Sequence, residues 1–364
     1  MKNRREVIQT AALSLAGLST WTADASSILK DFYPPVTPRS LVFPRDYGSH
    51  TDFRTEWWYL TGWLWKGDEA FGFQLTFFRS RTHHSSHNPS RLAPQQLLFA
   101  HAALARADKN VFLNASRSGR LGSTLLRAET ANTDLQMEDW YLRRIQRGQE
   151  DFYEGNFSAQ GFSLTFEAKA SKPPILRGRG GFSQKGPQSE EASYYYSRAP
   201  LSVTAKVQLD SKPFATQGQA WLDHEWSSQL LMPGAVGWDW LGINLLDGGT
   251  LMAFQMRNNK SEPLYGHVDA RDSNGVPLKG WNGLKWLPQK KWRSKSLIEY
   301  PIPMDLEVGS VLYRLVPLIL AQEVDARSST GGYYWEGAVS LMQGERLLGH
   351  GYLELTGYGE PLQM

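Results

Sequence analysis

The stretch "AWLDHEWSS", residues 220–228, sets three consecutive ionisable residues, Asp223, His224 and Glu225, between Trp221 and Trp226. In a strand, a period of two puts Trp221, Asp223 and Glu225 on one face and Leu222, His224 and Trp226 on the other. A carboxylic acid whose pKa is raised by apolar surroundings can donate a proton, and an adjacent histidine can relay or accept one. The same residues also suit a satisfied polar knot, because a buried charge is costly unless paired. Both readings stay open at this level.

Two more carboxylates sit among aromatics. Glu56 lies in "TEWWYLTGWLW", residues 55–65, where alternation groups it with Trp58 and Leu60 and sets Trp57, Tyr59 and Thr61 opposite. Asp239 stands between Trp238 and Trp240 in "GWDW". The candidate acid–base set is therefore Glu56, Asp223, His224, Glu225 and Asp239, with Trp57, Trp58, Tyr59, Trp226, Trp238 and Trp240 as candidate ligand contacts. His83, His84 and His87 fall in a Ser/Asn/Pro-rich loop with no spaced carboxylate, so no metal site is expected there. His50 and His101 are isolated and read as structural. Neither a phosphate loop nor a G-x-S-x-G elbow occurs, which leaves phosphoryl transfer and serine-hydrolase chemistry unsupported, and no cofactor is expected.

The elements that must position these residues are strands. Short alternating apolar runs, rich in aromatics and punctuated by 33 Gly and 19 Pro, predict an all-β chain. Its 364 residues are 41% hydrophobic, enough for two domains with real cores. A formal net charge of +3 with no long basic stretch makes nucleic acid a poor partner. The chain has no cysteine, which removes disulfides, thiol catalysis and Cys-ligated zinc.

An internal repeat organises the strands. Shifted by 181 residues, "WWYLTGWLWKGDEAFGFQL" (57–75) falls on "WDWLGINLLDGGTLMAFQM" (238–256), matching Trp57, Leu60, Leu64, Gly67, Phe73 and Gln74 to Trp238, Leu241, Leu245, Gly248, Phe254 and Gln255. Later in each half "YYSRAPLSV" (195–203) resembles "YYWEGAVSL" (333–341), and "GQAWLDHE" (218–225) resembles "GHGYLELT" (349–356). Glu354, Leu355 and Thr356 thus stand where the first half has Asp223, His224 and Glu225. Turn chemistry at Lys66-Gly67-Asp68 and Asp247-Gly248-Gly249 makes the first element of each half a hairpin. A closing aromatic strand then suggests a barrel, which removes exposed edges.

The expected organisation is an export signal at 1–25, an extended lead-in at 26–48, and domains at 49–229 and 230–364. The signal reading rests on a basic start, an apolar run from Val7 to Leu18 and the Ala23-Asp24-Ala25 cleavage pattern, with Arg4-Arg5 suggesting the twin-arginine route. A periplasmic or secreted protein follows, with no transmembrane segment in the mature chain.

From "HTDFRTEWWYLTGWL" through "GQAWLDHEWSS" and "GWDWLGINLLDGGTLMAFQMR" to "GYLELTGY", the chain resembles the AttH-like secreted proteins and carotenoid 1,2-hydratases. The resemblance implies two lipocalin-like barrels with a ligand site near their junction. It also implies hydration or isomerisation of a lipophilic unsaturated molecule, with the acid–base role on the "DHEW" and "GWDW" stretches. The competing expectation is a non-catalytic periplasmic lipid carrier or an accessory of an ABC transporter. A secreted hydrolase is the weakest reading, since no nucleophile constellation is present.

Overall fold

The computed structural model describes residues 33–362 apart from 85–87, 89, 91, 92, 211, 230 and 282; the expected export signal and the first part of the lead-in lie outside this range, as does His87. Among the described residues the chain is almost entirely strand, with one turn of 3-10 helix at Arg45–Tyr47. The first half supplies β1 (Thr55–Lys66), β2 (Glu69–Arg81), β3 (Gln96–Arg106), β4 (Val111–Arg120), β5 (Leu126–Ala128), β6 (Asp134–Met137), β7 (Trp140–Arg147), β8 (Glu150–Ala159), β9 (Phe162–Ala170), β10 (Ile175–Leu176), β11 (Phe182–Gln184), β12 (Ala192–Leu209) and β13 (Lys212–Ser227). The second supplies β14 (Gly237–Leu245), β15 (Thr250–Arg257), β16 (Pro263–Arg271), β17 (Lys285–Pro288), β18 (Trp292–Arg293), β19 (Glu299–Tyr300), β20 (Met304–Val308), β21 (Val311–Pro317), β22 (Glu323–Asp325), β23 (Tyr333–Gln343) and β24 (Arg346–Leu355).

The strands form two large curled sheets with the order β4-β3-β2-β1-β13-β12-β9-β8-β7-β6-β5 and β16-β15-β14-β24-β23-β21-β20-β17. The repeat is visible in the pairing. The run β2-β1-β13-β12 of the first sheet recurs as β15-β14-β24-β23 in the second, antiparallel throughout. Each sheet wraps its own core. Trp58, Leu60, Leu64 and Leu222 point into the first barrel, while Leu241, Ile243, Leu353 and Leu355 point into the second. The first ladder is open between β4 and β5, and side chains span the gap: the Arg117 guanidinium donates to the Met137 carbonyl at 3.1 Å. The lead-in covers one end of this barrel, where Val36, Leu41 and Tyr47 pack with Tyr194, Tyr196 and Trp226.

The outer faces of the paired hairpins meet. Tyr59, Trp63, Tyr195 and Trp221 from the first sheet pack against Trp240, Met252, Phe254 and Tyr352 from the second. This contact explains the density of aromatics in residues 55–65: the even-numbered side chains fill a barrel and the odd-numbered ones build an inter-sheet core. Burial of each large aromatic contributes on the order of 2–3 kcal/mol. The sheets come close enough at Gly72 that an added Cβ would lie 2.6 Å from the Ala338 Cβ. Trp63 Nε1 donates to the Gly351 carbonyl at 2.9 Å, and Asn244 Nδ2 to the Ala220 carbonyl at 3.1 Å, pinning the two sheets together.

Candidate functional site

The strand pleat divides the sequence-derived candidates among three places. Glu56, Trp58, His224 and Trp226 lie inside the first barrel, Asp239 lies on the inner face of the second, and Asp223, Glu225, Trp57, Tyr59, Trp238 and Trp240 line a cavity between the sheets.

Inside the first barrel, Glu56 is the hub of a saturated network. It accepts from Arg79 Nε at 2.8 Å, from Ser49 Oγ at 3.1 Å and from the His50 backbone N–H at 2.8 Å, and it bonds His50 Nδ1 at 2.8 Å and His224 Nε2 at 2.9 Å. His50 stacks on Trp226 with ring centroids 3.6 Å apart, and His224 stacks on Trp58 at 4.5 Å. Burial works against the charged Glu56, yet Arg79 and His50 overcome it and hold the carboxyl well below its usual range. Burial pushes His224 down to about 4, so it is neutral here. Among the described residues His50, Glu56 and His224 form a group whose ligand atoms lie within 4.8 Å of one another, the geometry a small cation needs. Those atoms already bond one another, and the Arg79 guanidinium beside Glu56 opposes a further positive charge. The arrangement is a polar plug at the barrel end. His101, expected to be structural, is held between the Tyr334 hydroxyl and Ser329 Oγ, each at 2.7 Å.

Asp239 plays a comparable part in the second barrel. Arg257 Nε donates to it at 2.9 Å, Gln255 Nε2 at 2.7 Å and the Tyr358 hydroxyl at 3.0 Å. Trp238 and Trp240 flank it in sequence but face the other way, so it does not border the inter-sheet cavity.

The cavity, about 100 Å³, is where apolar walls and carboxyls coincide. Its aromatic lining includes Trp57, Tyr59, Trp238, Trp240 and Phe254, with Trp240 set edge-on to Tyr59 at 5.1 Å. Asp223 reaches it from β13. Trp221 Nε1 donates to Asp223 Oδ1 at 2.7 Å, Ser197 Oγ donates to the same atom, and the Tyr195 hydroxyl donates to Oδ2 at 2.5 Å. Burial still outweighs these donors and the nearby Arg177, and pushes Asp223 up to about 6. Glu225 accepts from Ser193 Oγ and from Lys185 Nζ, the latter at 2.8 Å. Lys185 in turn lies over the Phe254 and Tyr195 rings, at 4.3 and 4.7 Å.

Two carboxyls of this region were not among the sequence candidates. Glu354 on β24 borders the cavity and accepts from Trp238 Nε1 at 2.8 Å. Burial pushes it up to about 7, helped by the neighbouring Asp223, Glu225 and Asp239. Behind it, Glu336 is fully buried, bonds the Tyr59 hydroxyl through one oxygen and has no partner for the other among the described residues. Burial raises it well above the ordinary carboxyl range, with Glu354 adding to the effect. The repeat carried the signal for Glu354, since it is the counterpart of Asp223. Glu336 had no such mark. The arrangement can hold protons at neutral pH beside aromatic faces able to steady a developing cation.

Residues 34–358 match the AttH-like family profile. A crystal structure described as an AttH from Nitrosomonas europaea superposes with a TM-score of 0.80 at 38% identity, covering 89% of this chain and 99% of that one. Kievitone hydratase from Nectria haematococca has the same fold, with a TM-score of 0.67 at 12% identity and coverage of 90% and 98%. No protein of curated function matches the sequence. No helix among the described residues is long and apolar enough to cross a membrane, which says nothing of strands.

Proposed function

The chain belongs to the AttH-like family, and from that premise we propose that it binds a lipophilic, unsaturated molecule between its two sheets and acts on it by acid–base chemistry, as a hydratase or isomerase. The observation that carries this reading is the pair Asp223 and Glu354: two carboxyls from equivalent repeat positions line one aromatic cavity, and burial raises both into the neutral range. Glu56, which Arg79 and His50 saturate, is held low instead; Asp239 is also raised by burial in spite of Arg257, but it does not border the cavity. Protonation of a double bond needs an acid, an aromatic wall for the cation and a placed water; the cavity offers the first two and has room for the third. A hydratase of the same fold supports the reading at the level of architecture. Action in the periplasm or outside the cell is part of the proposal, on the export reading of residues 1–25.

The test is turnover of an isoprenoid alkenol. Purified protein incubated with the five-carbon 3-methylbut-2-en-1-ol, matched to the cavity, in heavy-oxygen water should yield an alcohol carrying the label, and Asp223→Asn should abolish it at a cost in unfolding free energy of about 1–3 kcal/mol. Unmodified ligand bound equally by the parent and by Asp223→Asn would instead indicate a carrier.

A further inference from the structure

Asp223 and Glu354 hold the same place in the two repeats, yet their surroundings have diverged in opposite directions. Opposite Asp223 across the β12–β13 ladder stands Ser197; opposite Glu354 across β23–β24 stands Glu336. In the first repeat every donor is committed toward the carboxylate. Arg177 Nε donates to Ser197 Oγ at 2.9 Å, so the Ser197 proton is free only to point at Asp223. Trp240 Nε1 donates to the Tyr195 oxygen at 3.1 Å, which likewise turns the Tyr195 proton toward Asp223. Trp221 Nε1 can do nothing but donate. Three forced donors with a guanidinium behind them stabilise the anion.

The second repeat does the reverse. Among the described residues Glu354 receives a single donor, Trp238 Nε1, and its cross-strand neighbour is a second carboxyl with one unpartnered oxygen. The charged groups that weigh most on Glu354 are Asp223, Glu225 and Asp239, all acidic, and Glu336 couples to it as well. Two adjacent carboxyls, one buried and one half-buried, with no ion-pair partner among the described residues do not readily ionise together.

We infer that Glu354, backed by Glu336, is the proton donor of the cavity and Asp223 is its proton acceptor. This rests on the acid–base reading above and assigns its direction. The Glu354 proton moves to one carbon of the double bond as the π pair forms the new C–H bond. A water oxygen bonds to the other carbon, and the proton it loses passes to Asp223. One alkene and one water give one alcohol; the donor is left ionised and the acceptor protonated, and exchange with bulk water resets both. The two repeats of a duplicated fold have become the acid and base halves of one site.

An infrared titration of the ligand-free protein decides the assignment independently of any substrate. Beside the bands of Glu336 and Asp239, which both variants keep, the protonated-carboxyl bands of Glu354 and Asp223 should disappear in separate steps between about pH 5 and 9, with the step at higher pH missing in Glu354→Gln and the step at lower pH missing in Asp223→Asn. Trp238→Phe, which keeps the carboxyl but removes its donor, should move only the upper step, to higher pH; this covers the case in which Glu354→Gln does not fold. Persistence of the upper step in Glu354→Gln, or its loss in Asp223→Asn, overturns the inference and leaves the acid–base reading standing. With 3-methylbut-2-en-1-ol as probe, Glu354→Gln should lose turnover about a hundredfold or more. Turnover absent in the parent protein, with the two steps in place, counts against the hydratase reading and not against the order of protonation.

Discussion

Glu336 and Glu354 are direct cross-strand partners, side by side on the face of the second sheet that meets the first. The charged side chains acting most strongly on either are other carboxyls. Sheets disfavour like charges at such positions. The pair persists because its members hold protons, so the fold must weaken as those protons are drawn off.

Stability should therefore fall as pH rises across this pair. Glu354 in the folded chain holds its proton up to about pH 7, whereas the unfolded chain releases it near 4.5. The stabilisation is fully present below about 4.5 and is lost as pH climbs through about 7. His101 and His224, pushed down to about 4 by burial, work the other way, since the unfolded chain takes up protons on them as pH falls from 6.5 toward 4. Comparing the parent with Glu354→Gln isolates the carboxyl. Denaturant unfolding at about pH 5 and pH 8 should differ by about 2 kcal/mol less in the variant, allowing for partial exposure of Glu354 to the cavity.

Glu56→Gln should act on folding and spare the cavity. The change leaves the Arg79 guanidinium, itself buried, without its counter-charge. Removing one partner of a buried pair typically costs about 3–5 kcal/mol. Chemical unfolding should register that loss, while affinity for a hydrophobic probe, measured per mole of folded protein, stays within twofold. A selective loss of turnover at unchanged stability would instead place Glu56 in the acid–base machinery, as its sequence setting suggested.

The imidazole of His224 fills the space between Trp58 and Trp226 and bonds both Glu56 and the Tyr196 hydroxyl at 2.9 and 3.1 Å. His224→Ala opens a hole and strands two polar groups. A loss of about 2–4 kcal/mol in unfolding free energy is expected, with melting temperature as a first readout.

Gly72→Val probes the contact between sheets. A Cβ at Gly72 already meets the Ala338 Cβ at 2.6 Å and the Tyr352 hydroxyl at 2.9 Å, both on the second sheet. Overpacking of this kind costs about 1–3 kcal/mol. Because the cavity is walled by the two sheets, probe binding by fluorescence quenching of its tryptophans should weaken together with stability.

Much of this was written in the linear chain. The period of two along "TEWWYLTGWLW" already separates Glu56 and Trp58 from Trp57 and Tyr59, and the structure keeps that division. The 181-residue repeat predicted hairpins at the start of each half, and β1–β2 and β14–β15 are those hairpins. Alternation also implied that Asp239 and its flanking tryptophans face opposite ways, although their adjacency in "GWDW" suggested one site. Glu354 was in view as the counterpart of Asp223, but nothing local set it apart from a surface glutamate.

What the sequence determined by itself is local and periodic: strand identity, the two faces of each strand, the turns and the duplication. These follow from a pleat that repeats every two residues and from turn chemistry confined to a few neighbours. Which face meets solvent, a barrel core or another sheet is set by how distant segments pack, and so are the partners of every buried charge. Asp223 and Glu354 are 131 positions apart in the chain. Strand pairing within each sheet set one beside Arg177 and three donors and the other beside Glu336, docking of the two barrels brought both to one cavity, and a carboxyl's proton affinity is decided by such surroundings.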